Sequence, residues 1–145
     1  MTIAATITAL QTVHAGIAGI NAAPTAFPSN LNTATMPIAL VWPGEADWRA
    51  QAVGLKRQQR EYIVRVYVSP IAQDKAGPEN AYALCNGMLQ AFGRAYLDDP
   101  TLGGAVDNIA TILDSGVSGG TFDLTWAGVS YWGFVFRLGI VEKSA

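Results

Sequence analysis

The chain has 145 residues, the size of one domain able to bury a single core. Half of it is hydrophobic and only 14% is charged, against about 25% in an average soluble domain. The net charge of -2 argues against a protein that grips nucleic acid through phosphates, because that work needs a basic face.

A surface this poor in charge leaves apolar area to be covered. No window of about 18 apolar residues spans a membrane, so symmetric self-assembly is the better cover. The N-terminus lacks the Lys or Arg that begins a secretory signal, and it reads as structure. Cys85 is the only cysteine, which excludes an internal disulfide and is compatible with a reducing cytoplasm.

In chain order, Ile3, Ile7, Leu10, His14 and Ile17 recur at helical spacing, so residues 3 to 19 are expected as helix 1. Thr2 is its candidate N-cap, and Gly19 or Asn21 its stop. Residues 21 to 35 turn to Ala, Pro, Ser, Thr and Asn without periodicity, a long loop of the kind that carries function. Met36 to Trp42 is a short strand with a proline near its start and Pro43 after it. Residues 44 to 60 read as extended loop or an irregular hairpin arm. Arg49, Lys56, Arg57 and Arg60 gather there beside Trp48, either as a solvated turn or as an arm that docks on a partner.

Tyr62 to Val68 alternates with apolar residues on both faces, which makes it a central strand ended by Pro70, with Arg65 the exception. If buried, Arg65 should be paired with a carboxylate, since an isolated buried charge is costly. A polar turn at 71 to 77 leads to Pro78 and Glu79 at the start of helix 2, expected over 79 to 97. Tyr82, Cys85, Leu89, Phe92 and Tyr96 form its stripe, thickened by Leu84, Met88 and Ala91. Asp98, Asp99 and Pro100 stop it, and Gly103 and Gly104 turn the chain. Three further strands are expected at 106 to 113, 121 to 126 and 131 to 141, separated by glycine-bearing turns at 115 to 120 and at Ala127-Gly128. The expected fold is one α+β domain over residues 1 to 145, a mainly antiparallel sheet of four to five strands flanked by two helices.

Chemistry is thinly represented. His14, the only histidine, lies on an apolar stripe, the place of a core or interface residue more than of a catalyst. No Ser-His-Asp set is credible, and Cys85 reads as a small hydrophobe. Asp98 and Asp99 are a helix terminator before they are a metal pair. The glycines at 116 to 120 lack the Lys and Ser or Thr of a phosphate loop. The aromatic run Trp126, Tyr131, Trp132, Phe134 and Phe136 lacks the basic companions of a base-stacking groove, which leaves core or subunit interface.

Three stretches carry a likeness: Arg65 to Pro70 (RVYVSP), the Gly77-Pro78-Glu79 opening of helix 2, and Tyr96 to Gly104 (YLDDPTLGG). Followed by a closing hairpin of long strands, they resemble the tail terminator proteins of long-tailed bacteriophages, in order of elements more than in identities. The resemblance implies a virion structural protein, not an enzyme, with no cofactor and no metal. Six copies would close into a ring on the head-proximal end of the tail tube, stop its polymerisation and present the surface for head attachment. Assembly would take place in the host cytoplasm. Partners would be copies of itself, the tail tube protein and head-tail connector proteins, with DNA passing through the lumen without specific binding and no membrane involved. The loops at 21 to 35 and 43 to 60 would make the axial contacts. Candidate contact residues are Phe27, Trp48, Arg49, Lys56, Arg57 and Arg60. The alternatives are another neck protein, for head closure or head-tail joining, and a small ligand-binding or enzymatic α+β domain. The last would need a pocket with convergent polar groups.

Overall fold

Strands with apolar residues on both faces have to sit inside a sheet covered on both sides, and two such strands organise this chain. The computed structural model describes residues 3–52, 55–70, 78–114 and 123–142. The elements are α1 (Ile3–Ala15), a 3₁₀ turn (Thr33–Thr35), β1 (Ile38–Ala52), β2 (Leu55–Pro70), α2 (Pro78–Asp98), β3 (Asn108–Asp114), β4 (Asp123–Trp126) and β5 (Val129–Glu142). All strand pairs are antiparallel, in the order β1-β2-β5-β3. Because β2 runs along one edge of β5 from Tyr131 to Glu142, β4 and β3 share the other edge end to end. The α+β arrangement expected from the sequence is the one observed.

Both helices lie on one face of the sheet. Ala39 and Val41 of β1, Tyr62, Val64, Val66 and Val68 of β2, Phe134, Phe136, Leu138 and Ile140 of β5, and Ile109 of β3 meet Leu10 of α1 and Cys85, Met88, Phe92 and Tyr96 of α2. Phe92 is the hub, edge-on to Phe134 at 5.4 Å and stacked on Phe136 at 6.2 Å between ring centroids. Removing such a ring costs about 3–5 kcal/mol. On α2 the stripe holds at Cys85, Met88, Phe92 and Tyr96, but Leu84 is exposed and Leu89 only half-buried. The side chain of Tyr82 lies outside the described residues, as do Thr2, the turn at 71 to 77 and the glycines at 115 to 120.

The opposite face carries a second, smaller core with no helix upon it. Met36, Ile38, Leu40, Tyr67 and Tyr131 are buried there, with Ala22, Leu31, Trp42, Leu124 and Trp126 packed around them. The segment between α1 and β1 supplies part of this cover. Ala22 bridges Ile38 in parallel, and the amides of Asn21 and Ala22 donate to the Pro37 carbonyl. This second core takes up much of the apolar surplus expected at the surface. Among the described residues the exposed large hydrophobics are Ile3, Phe27, Leu84, Leu97 and Val129, dispersed over several elements.

Several boundaries differ from the expected ones: β2 starts at Leu55 and not at Tyr62, β3 and β5 shift by one to two residues, and two further differences have a local cause. Helix 1 ends at Ala15, not Gly19, and the next amides turn back three residues, Gly16 to Val13 and Ile17 to His14. Glycine at that point favours a stop. The first strand does not end at Trp42. It passes through Pro43, which is tolerated because β1 is an edge strand, and continues to Ala52.

Local backbone demands are sharp at two places. Gly133 of β5 faces the bulge between Tyr67 and Ser69 of β2, and a Cβ there would lie 2.1 Å from the Val66 carbonyl oxygen. The β4-β5 turn has φ of 50° at Ala127 and 81° at Gly128, the mirror-image geometry that matches strand twist. Left-handed φ costs alanine about 1–2 kcal/mol. Ala127→Asn should therefore raise stability by roughly 0.5–1 kcal/mol, or about 2–4 °C in Tm. Gly133→Ala should lower it by roughly 3 kcal/mol. Denaturant unfolding of both variants checks the pair. A neutral Gly133→Ala would show that β2 and β5 do not approach as described.

Candidate functional site: a hairpin arm and an aromatic sheet face

Residues 44 to 60, expected as loop or irregular arm, are paired strand throughout the described part. Register runs Ala46 to Arg60, Asp47 to Gln59, Trp48 to Gln58, Arg49 to Arg57, Ala50 to Lys56 and Ala52 to Leu55. Among the described residues the neighbouring strand β5 reaches Glu142, opposite Gln58. Beyond that row, β1 and β2 pair only with each other among the described residues. A two-stranded ribbon thus projects from one end of the sheet, four residues deep on β1, or roughly 13 Å.

This geometry brings Trp48, Arg49, Lys56 and Arg57 onto one ribbon, with Arg60 at its base. The Arg60 guanidinium donates to the Gly44 carbonyl at 2.9 Å across the bulge between Pro43 and Ala46. Gly44 has no room for a side chain, since a Cβ would lie 2.9 Å from the Glu61 carbonyl oxygen. Arg60 therefore has a structural part in shaping the arm's root.

Phe27 is not with them. It belongs to the segment between α1 and β1 and stacks on Trp42 at 4.7 Å, with 51% of its surface exposed. Trp42 lies seven residues from Arg49 along β1, about 23 Å of strand. Phe27 instead joins an aromatic face with Trp42, Trp126, Tyr67 and Tyr131, whose ring centroids lie 5.6–6.5 Å apart beyond the stacked pair. Leu31 packs on the same face. The segment at 21 to 35 is thus partly a lid on the second core.

Arg65 also belongs to this face. It is half-buried, and its guanidinium carbon lies 5.2 Å from the Trp42 ring centroid. The carboxylate partner expected for it is not met among the described residues. The ring face takes that place, an attraction worth about 0.5–2 kcal/mol. Burial pushes the Tyr67 hydroxyl above its ordinary pKa, and the neighbouring Arg65 partly opposes the shift. The ion pair of Arg137 with Glu61, 3.9 Å long and about half-exposed, adds little.

His14 is fully buried in a hydrogen-bonded junction. The Gln11 amide nitrogen donates to the carbonyls of Pro24 at 2.6 Å and Ala39 at 2.8 Å. Its oxygen must then accept from His14 Nδ1 at 2.8 Å, which leaves Nε2 to accept from the Tyr96 hydroxyl at 2.7 Å. Every polar atom of the imidazole is satisfied in the neutral form. Burial lowers its pKa to about 3. Cys85 is buried in the core, and burial pushes its thiol up to about 12, so it carries no thiolate at neutral pH. At the sheet's end the Tyr62 hydroxyl donates to the carboxylate of buried Glu142.

Among the described residues no three His, Cys, Asp or Glu side chains gather as metal ligands. No described helix is long and apolar enough to cross a membrane. An open cleft of about 420 Å³ lies between the end of α1 and α2, where Ile17 and Ala18 face Gln90, Arg94 and Asp98. No protein-family model matches the chain, and no curated protein is significantly similar to it.

The His14 junction has a measurable consequence. Its folded pKa lies below the unfolded value of 6.5, so its stabilisation is complete above pH 6.5 and is lost as pH falls towards 3. Stability should drop by roughly 2 kcal/mol between about pH 7.5 and pH 5. In His14→Gln, which cannot take up that proton, the profile should flatten. Urea titrations across this window check it. A wild-type curve as flat as the variant's would place the imidazole in solvent.

Proposed function

We propose that this chain is a ring-forming structural protein of a phage tail, the terminator that caps the tube and offers the surface for head attachment. The observation that carries the reading is the pair of unpaired sheet edges. Among the described residues β1 beyond Ala39 and β3 along its length each pair on one side only, and they lie on opposite margins of one sheet. A protomer with different contact surfaces on its two margins suits a head-to-tail interface, which closes into a ring when the rotation permits. The arm at one end of the sheet adds a contact directed along or across such a ring.

Sequence order supports the same reading. The α+β domain, the Arg65 to Pro70 strand end and the acidic stop of α2 are the features that resemble tail terminators. A ligand-binding domain has less behind it, since the described cleft beside α2, though it carries Gln90, Arg94 and Asp98, is open to solvent.

Electron microscopy of lysates from a phage with a stop codon in this gene tests the reading. Headless tails of uncontrolled length are the expected result. Normal-length tails lying beside filled heads would move the protein to a head-side joining role.

A further inference from the structure

The far end of the β1-β2 ribbon is basic in sequence. Residues 49 to 57 hold Arg49, Lys56 and Arg57 and no acid, a local charge of +3. The whole chain carries -2, so the remainder carries -5. Arg49 and Arg57 are also register partners, directly opposite each other. A segment of that charge suits an anionic surface laid against it.

A surface of that kind exists at the same end of the sheet, on the other margin. Asp47, Gln59, Val141 and Asn108 form one row across β1, β2, β5 and β3. The Asp107 amide donates to the Val141 carbonyl, which sets Asp107 level with the next row, Trp48, Gln58 and Glu142. Arg49 and Arg57 are one row further out. Asp98 ends α2 close by, with Pro100 accepting the Ile109 amide and Asp99 capping Gly103. Asp98 and Asp107 are exposed, as is Leu97 beside them. Among the described residues the carboxylates of Asp98, Asp99 and Asp107 stand there, with the Arg94 guanidinium one turn back on α2.

We propose that the basic end of the ribbon binds a second copy of this chain at the acidic corner formed by Asp98 and Asp107. When sheets stand side by side, the β1 margin of one copy faces the β3 margin of the next. Arg49 and Arg57 then come level with the neighbour's Asp107 to within a residue's rise. Pro43 and the charged Glu45 and Asp47 blunt the β1 edge against indiscriminate strand pairing, so recognition rests on the charges. Nucleic acid fits less well, because three cations release few counterions and the rest of the surface repels phosphate. The inference deepens the ring reading without requiring a tail, since it concerns the contact between copies alone.

Sedimentation velocity of the full chain tests it, with unfolding midpoints as the folding control. Wild type should self-associate in low salt and weaken at least about tenfold as salt rises and the screening length falls from about 10 Å towards 3 Å. R49E with R57E should abolish association, as should D98K with D107K. The second pair is tolerated by the fold, since a cation at a helix C-terminus is favourable. All four substitutions in one chain should restore assembly. A wild type that stays monomeric in low salt at its highest soluble concentration overturns the proposal. So does an arm reversal that leaves association unchanged, or a four-fold variant that folds but does not reassemble. Loss of duplex DNA binding in R49E with R57E, with association intact, would also overturn it and make the arm a nucleic-acid contact. The stop-codon phenotype is read separately, so tail termination and the contact between copies can fail independently.

Discussion

The hydrogen-bond chain from Gln11 through His14 to Tyr96 is the constraint on which the arrangement of layers depends. It is the point where α1, α2, β1 and the segment after α1 meet. Each member has only one satisfactory role. The Gln11 amide is held by the carbonyls of Pro24 and Ala39, which fixes its oxygen, the imidazole tautomer and the direction of the Tyr96 hydroxyl in turn. Buried polar groups of this kind are costly unless every partner is present, so the junction favours one packing over its neighbours.

From that junction the rest of the molecule follows in order. With both helices tied to one face, the other face needs its own cover. The Pro24 carbonyl is anchored at the junction, so the chain leaves α1, passes the β1 margin and sets Phe27 and Leu31 over Trp42 and its neighbours. Among the described residues the sheet is thereby packed on both sides, while β1 beyond Ala39 and β3 each pair on one side only. On the proposed reading, contacts between copies would use these edges and the ribbon beside them. This is the physical basis for reading it as an assembling protein.

Much of this was legible in the residues. The alternation in β2 from Tyr62 to Val68 and in β5, and the stripe of α2 from Cys85 to Tyr96, are strong periodic signals, because those stretches meet the core. The arm was legible only as a charged stretch of unsettled form. Its strands gain regularity from each other and not from a core, and Pro43 reads as a stop wherever the strand is not known to be an edge. Arg65 shows a second limit. A half-buried cation needs an electron-rich partner, but sequence does not reveal whether that is a carboxylate or the face of Trp42, 23 residues earlier in the chain and two rows away on the neighbouring strand. Phe27 was singled out with the arm, and only the path of the chain across the sheet places it on the aromatic face. The role of His14 was legible in kind, as a core residue, while its partners on Gln11 and Tyr96 required the fold.

The central claim is that this protomer is built to join copies of itself head to tail. Native mass spectrometry of the purified chain in dilute volatile buffer tests it most directly. The account predicts a closed assembly of more than two copies, six on the ring reading, with no accumulation of dimers as an end state. A stable dimer that grows no further would mean a self-complementary patch, and would contradict it.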